Sequence, residues 1–311
     1  MVLDRYATYA GSDPRRAPAA MAVIPYVEQT FGSWYVPGGL HRLALAVHDR
    51  AVERGAVVRT RSDVAEVIVE NGRAAGVRLS SGEAIAADTV VANADASHLY
   101  ADLLPASAAR PTLRRLRKAT PSLSGFVLML ALRGRTPGLG HHTVLFPRDY
   151  DPEFEAVFGR SAAPVDDPTI YVSAPDDPLL RPDDDSEALF VLVNAPRHGR
   201  GAGAIDWLAP GLADSYADRV LALLADRGLE VRDRLLWREI RTPADLEMRT
   251  RSPGGAIYGT SSNGARAAFL RPANRSQVPG LFLVGGSAHP GGGLPLVGMS
   301  AAIVAELIGP A

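Results

Sequence analysis

Across 311 residues the chain is 47% hydrophobic and 22% charged, with a formal net charge of -1. That balance sets aside disordered and fibrous classes, leaves room for one large domain or two modest ones, and offers no field of one sign for gripping nucleic acid. The absence of cysteine removes disulfides, thiolate zinc sites and a cysteine nucleophile.

The opening MVLDRYATYAGSDPRRAP lacks the apolar core of an export signal, and with the missing cysteines it points to the cytoplasm. From Trp34 the pattern becomes regular: Leu40, Leu43, Ala44, Val47 and Ala51 share one helical face after a Pro-Gly-Gly turn, and Gly55 closes the helix. Val57 and Val58 read as the start of a strand. The alternating text that follows is broken at Asn71-Gly72 and Ser81-Gly82, dipeptides that favour hairpin turns, so a three-stranded antiparallel meander is expected. Residues 89–92 read as a short buried strand, and 93–95 as the turn and cap of the next helix.

Between about Tyr100 and Ile240 the runs SGFVLMLALRG, PTIYVSAP and EALFVLVNAPRHG predict strands of a mixed sheet, with helices near 112–118 and 212–227 packed on it. The acidic run 183–185 reads as a solvated turn, since no converging ligands accompany it. His141 and His142, if in a strand, point to opposite faces and do not chelate one metal. No G-x-S-x-G elbow occurs, which argues against a hydrolase. Trp34, Tyr35 and Tyr258 either line a pocket for an apolar chain or anchor a core.

Residues 276–305 carry no charged side chain, but seven glycines and three prolines would break a membrane-spanning helix there. The better parse is a buried strand 281–284, a tight loop 285–293 and a helix 294–308 with Pro295 in its first turn. A strand, a glycine loop and a helix N-terminus bring backbone amides and a positive dipole end to a ligand. His289 in that loop either faces the ligand or bonds nearby backbone.

Four separated segments, in this order, resemble the bacterial phytoene desaturase family of FAD-dependent carotenoid oxidoreductases. They are WYVPGGLHRLALAV with its following meander, HHTVLFPRDYDPEFEAVF, DPTIYVSAPDDP, and GAIYG leading through RPANRSQVPG to GLFLVGGSAHPGGGLPLVGMSAAIVAELI. The resemblance implies a mixed α/β chain: a partial FAD-binding fold of the glutathione-reductase and amine-oxidase kind, with a mixed-sheet substrate domain. It divides the chain into a substrate-domain segment 1–32, FAD-domain segments 33–98 and 242–311, and a substrate or capping domain 99–241. It further implies FAD as cofactor, with Gly285 and Gly286 against the ribityl and pyrophosphate. The backbone around Leu294, Pro295 and Val297 would face the flavin pyrimidine edge, and the backbone of Val64 would contact adenine.

The family opens with a strand, a G-x-G-x-x-G turn and a helix, and no such segment is found here; GRGAGAID and GGSAHPGGG have the wrong context or spacing. The expectation is therefore the C-terminal portion of such an enzyme, with a polypeptide carrying the N-terminal half as a candidate partner. The implied reaction is dehydrogenation of a carotenoid or related polyene by hydride transfer to flavin. Carotenoid isomerisation, terminal oxidation and amine oxidation on the same scaffold stay open, as does a non-catalytic subunit of a split enzyme. An apolar polyene substrate implies peripheral contact with a membrane surface, for which Arg110, Arg114, Arg115, Arg117 and Lys118 are candidates.

Overall fold

The computed structural model describes residues 2–264, 267 and 271–310. Helices α1 (Val2–Arg5) and α2 (Val23–Phe31) lead into α3 (His41–Glu53). Next come β1 (Val64–Glu70), β2 (Arg73–Leu79), β3 (Ala84–Ala86), β4 (Val90–Ala92), the short α4 (Ala96–His98) and α5 (Ala106–Leu116). The middle holds β5 (Ser124–Arg133), β6 (His142–Leu145), α6 (Asp151–Phe158), β7 (Ile170–Ser173), β8 (Ser186–Ala195), β9 (Arg197–His198), β10 (Ala204–Ile205), α7 (Leu212–Asp226) and β11 (Leu235–Arg241). The chain closes with α8 (Pro243–Thr250), β12 (Leu281–Leu283) and α9 (Leu294–Ile308).

The expected meander forms, with β1 antiparallel to β2 and β2 antiparallel to β3. Asn71 and Gly72 take φ of 50° and 77°, the paired positive values that match the turn to the twist of its strands. At β2, Gly76 has φ 146°, and a side chain there would collide with the Ile85 carbonyl of β3.

Strand β4 pairs in parallel with β12, matching Val90 to Leu281 and Ala92 to Leu283. This long-range pairing makes the middle of the chain an insertion into the unit that holds the meander. One core gathers Val67, Ala74, Val90, Leu99, Leu103, Leu281 and Leu283. Ala109 of α5 is buried in the same core, with Leu113 and Leu116 packed on it. Helix α5 therefore covers the meander unit, not the middle sheet as its sequence position suggested, and residues 99–116 group with residues before 99.

The middle sheet has the order β11-β5-β8-β7-β6. Every pairing in it is antiparallel, where a mixed sheet was expected. The pairing of β5 with β8 over ten residues, Ser124↔Ala195 to Arg133↔Ser186, sets that direction, and its neighbours reverse at each step. Helix α7 buries Ala217, Val220, Leu221 and Leu224 against the sheet. Phe126, Trp207 and Tyr216 close the core, Phe126 edge to face with Tyr216 at 4.9 Å between centroids and Trp207 tilted against both.

Helix α8 begins with a capping box: Thr242 Oγ1 accepts from the Asp245 amide at 3.2 Å, and Asp245 Oδ2 accepts from the Thr242 amide at 2.8 Å. Thr242→Ala removes the first bond, so a loss of about 1 kcal/mol is expected in urea unfolding. An unchanged midpoint would show that Pro243 alone starts the helix.

One local expectation fails. Val57 and Val58 join no strand and are 86% and 49% exposed, because extended residues without a ladder partner do not form a sheet. Helix α9 has the expected bounds, yet only Ser300 and Val304 of its apolar sequence are buried. Leu294 and Met299 are each 54% exposed. Among the described residues no helix is long and apolar enough to cross a membrane.

Candidate functional site

Because β4 and β12 run parallel, the segments that follow them leave the sheet at the same end. The Val284 amide donates to the Ala92 carbonyl at 3.0 Å and prolongs the pairing by one step. Crevices outside the carboxyl ends of parallel strands are the places where such sheets bind ligands. Here the turn 93–95 meets the glycine loop 285–293, and Ser252 to Gly259 closes the third side. Together they enclose a cavity of about 240 Å³ lined by Asn93, Asp95, Ser252, Ile257, Gly259, Gly286 and Ser287, among others.

The loop is held at several points. Ser287 Oγ accepts from the Ala96 amide at 2.9 Å, and the Gly285 amide donates to Ser300 Oγ at 3.3 Å. Asn274 Nδ2 reaches the carbonyls of Leu283 and His289 at 3.0 and 2.8 Å. The Arg271 guanidinium donates to the carbonyl of Gly286 at 3.0 Å and of Tyr258 at 2.7 Å. Buried and away from any carboxylate in these bonds, it is pushed down from its ordinary pKa by desolvation.

Two glycines are required for different reasons. Gly285 has φ 99°, and a Cβ there would run into Asn93 Oδ1; a Cβ on Gly292 would strike the Tyr258 ring. Gly293 instead faces open space, with no atom within 4 Å of a Cβ placed there, while a Cβ on Gly286, at the cavity wall, would just touch the Gly292 Cα at 3.4 Å. The N-cap of α9 is Gly293, which has no side chain to accept from the first-turn amides. Those amides and the positive dipole end of the helix therefore stay available to an anionic or hydrogen-bond-accepting group beside that space. This cradle fits the polar edge and phosphate-bearing tail of a flavin nucleotide.

Of the residues singled out in the sequence, Gly286 lines the cavity and Gly285 lies buried against the turn that bounds it. Leu294, Pro295 and Val297 form the first turn of α9, with Leu294 and Pro295 exposed. Val64 opens β1, opposite Leu79, outside the cavity lining. His289 is exposed, and its backbone is tied to Pro272 and Asn274. Trp34 is 83% exposed and belongs to neither a pocket nor a core, while the Tyr35 hydroxyl donates to Asp177 at 2.7 Å. Tyr258 packs its ring against the loop at Gly292. His141 lies just outside β6, so its ring does not oppose that of His142 but sits 4.3 Å from it.

Asp95, read from sequence only as a cap, does cap α4 through the Ser97 amide at 2.7 Å. Its second oxygen lies 3.4 Å from Ser252 Oγ, at the cavity wall. Burial raises its pKa above the ordinary 3.8, against the opposing pull of the helix amides and Ser252. The folded chain thus holds this proton more tightly than the unfolded chain. The stability it contributes is complete below the ordinary value and is lost as pH rises through the raised one. Asp95→Asn keeps a good cap without the charge, so its urea midpoint should gain on wild type as pH rises from about 4 to about 7. A constant difference would refute the burial account.

The model of the family described as flavin containing amine oxidoreductase matches residues 6–200. The 4,4'-diapolycopene oxygenase of Methylomonas sp is 34% identical over 99% of this chain and 61% of its own length. The hydroxyneurosporene desaturase of Rubrivivax gelatinosus is 37% identical over 98% of this chain and 57% of its own. The chain therefore spans about three fifths of the relatives it matches. In structure, an oxidoreductase from Methanosarcina mazei superposes with a TM-score of 0.66 at 17% identity, covering 98% of this chain and 63% of that one, a likeness of fold alone. The chain belongs to the flavin-containing amine oxidoreductase family, and within it is similar to carotenoid desaturases and oxygenases.

Proposed function

We propose that the chain is the C-terminal portion of an FAD-dependent oxidoreductase of the phytoene desaturase type, which dehydrogenates a carotenoid or related polyene. The observation that carries this reading is the glycine loop at the uncapped N-terminus of α9, with Gly286 at the cavity wall and open space beside Gly293. Identity of 34–37% to carotenoid oxidoreductases over nearly the whole chain supports it. When bound, FAD supplies the acceptor for a hydride leaving an allylic carbon.

The chain's own residues hold and orient. Gly285 and Gly286 take the ribityl and pyrophosphate, since neither presents a side chain to exclude them. The backbone at Leu294, Pro295 and Val297 meets the pyrimidine edge, where the positive end of α9 favours negative charge. Val64 contributes a backbone contact to adenine. Residues 33–116 and the C-terminal segment build this flavin unit, and the antiparallel middle sheet, with residues 1–32, builds the substrate unit.

A polypeptide bearing the G-x-G-x-x-G segment is the natural cover for Val57, Val58 and the apolar side of α9, all exposed here. Arg110, Arg114, Arg115, Arg117 and Lys118, all exposed on or just after α5, supply a contact with anionic headgroups from the cytoplasmic side. The likeness to an oxygenase favours a second reading, oxidation of the polyene's end group.

Incubating the chain with such a partner polypeptide, FAD and phytoene in liposomes separates these readings. Longer-wavelength polyene bands without added oxygen atoms support dehydrogenation, and oxygenated product supports the second. Unchanged polyene in the presence of bound flavin contradicts both.

A further inference from the structure

A second cavity, of about 400 Å³, lies between the C-terminal end of α5 and the segment 271–277, and shares no lining residue with the first. Among the described residues that line it, four side chains are cationic, Arg115, Lys118, Arg271 and Arg275, and none is acidic. Lys118 is the chain's one lysine. Arg275 lies 5.9 Å over the Phe282 ring, a contact that orients it without neutralising it.

Arg271 is the informative member, because it is only 8% exposed. Its guanidinium bonds to the Tyr258 and Gly286 carbonyls, which satisfy donors but leave its charge uncancelled. A buried cation without a carboxylate is costly, and three further cations around the same space add repulsion. A multiply charged anion relieves both costs at once, and guanidinium groups bind phosphate oxygens in paired geometry.

We propose that this cavity binds a phosphate-bearing anion, either a small soluble diphosphate or the headgroup of an anionic phospholipid, with Arg271 as the buried anchor and Arg115 and Lys118 as the outer grips.

The test compares two charge-neutralised pairs on exposed positions of the same segment, so folding is preserved and checked by circular dichroism. Arg115→Gln with Lys118→Gln removes cavity cations. Arg114→Gln with Arg117→Gln removes two that do not line it. Inorganic pyrophosphate is titrated by calorimetry, and vesicles of phosphatidylcholine with or without phosphatidic acid are tested by co-sedimentation.

Pyrophosphate binding is expected to weaken by about tenfold or more in the first pair and by less than about threefold in the second. Vesicle binding, to which Arg114 and Arg117 also contribute from outside the cavity, is expected to weaken in both pairs but clearly more in the first. If pyrophosphate shows its pattern the ligand is a small soluble phosphate; if only phosphatidic acid vesicles show theirs, the ligand is a lipid headgroup. Absence of binding to either probe overturns the proposal. So does equal weakening in both pairs, which would mean diffuse attraction to the basic helix.

Discussion

Glu153→Ala is expected to destabilise the chain by about 3–5 kcal/mol, a large share of the roughly 5–15 kcal/mol that holds a domain together. Glu153 is fully buried where α6 meets β8. It accepts from the Thr169 amide at 2.8 Å and from Asn194 Nδ2 at 2.6 Å, and it faces Arg5 at 3.6 Å. Removing it strands a buried cation, a buried amide and a buried side-chain donor together. Replacing both charges, Arg5→Met with Glu153→Met, should cost less than the two single changes added, since no lone charge is left behind. Urea unfolding of the four proteins measures this. Additive losses would mean that the pair is not coupled and that Arg5 does not tie the N-terminal segment to the middle sheet.

Gly285→Val should cost roughly 2–5 kcal/mol, combining backbone strain at positive φ with overpacking against Asn93. Its functional effect should exceed its effect on stability. Displacing Asn93 moves the turn that carries Asp95 and the loop that carries Gly286, which are two walls of one cavity. Gly293→Ala has no neighbour to strike and differs mainly through its φ of 100°, so it separates strain from collision. Equal losses in the two variants would remove the Asn93 contact from the account.

Much of this arrangement is legible in the residues because it is local. Asn71-Gly72 dictates a hairpin, and the bounds of α9 follow from the glycine before Leu294 and the one after Ile308. What escapes is set by partners distant in sequence. Val57 and Val58 have strand propensity but no ladder to join, and α5 reads as a helix without revealing which core it covers. The direction of the middle sheet depends on β5 meeting β8, some fifty residues away, through connections whose length does not distinguish parallel from antiparallel pairing.

The site divides in the same way. The glycine loop and the helix start stand out as a motif, whereas Asp95 and Arg271 gain their significance only when residues 93–95, 252–259 and 271–287 converge. The sequence RPANR ahead of a buried strand is the one signal that could have pointed to Arg271.

The central claim is that the glycine loop and the N-terminus of α9 hold a flavin. Quenching of FAD fluorescence, titrated with the purified chain, tests it most directly. The account predicts saturable quenching by the wild-type chain that weakens by about tenfold or more in Gly285→Val. Folded wild-type protein that leaves FAD fluorescence unchanged across the titration, or a variant that binds as well as wild type, would contradict it.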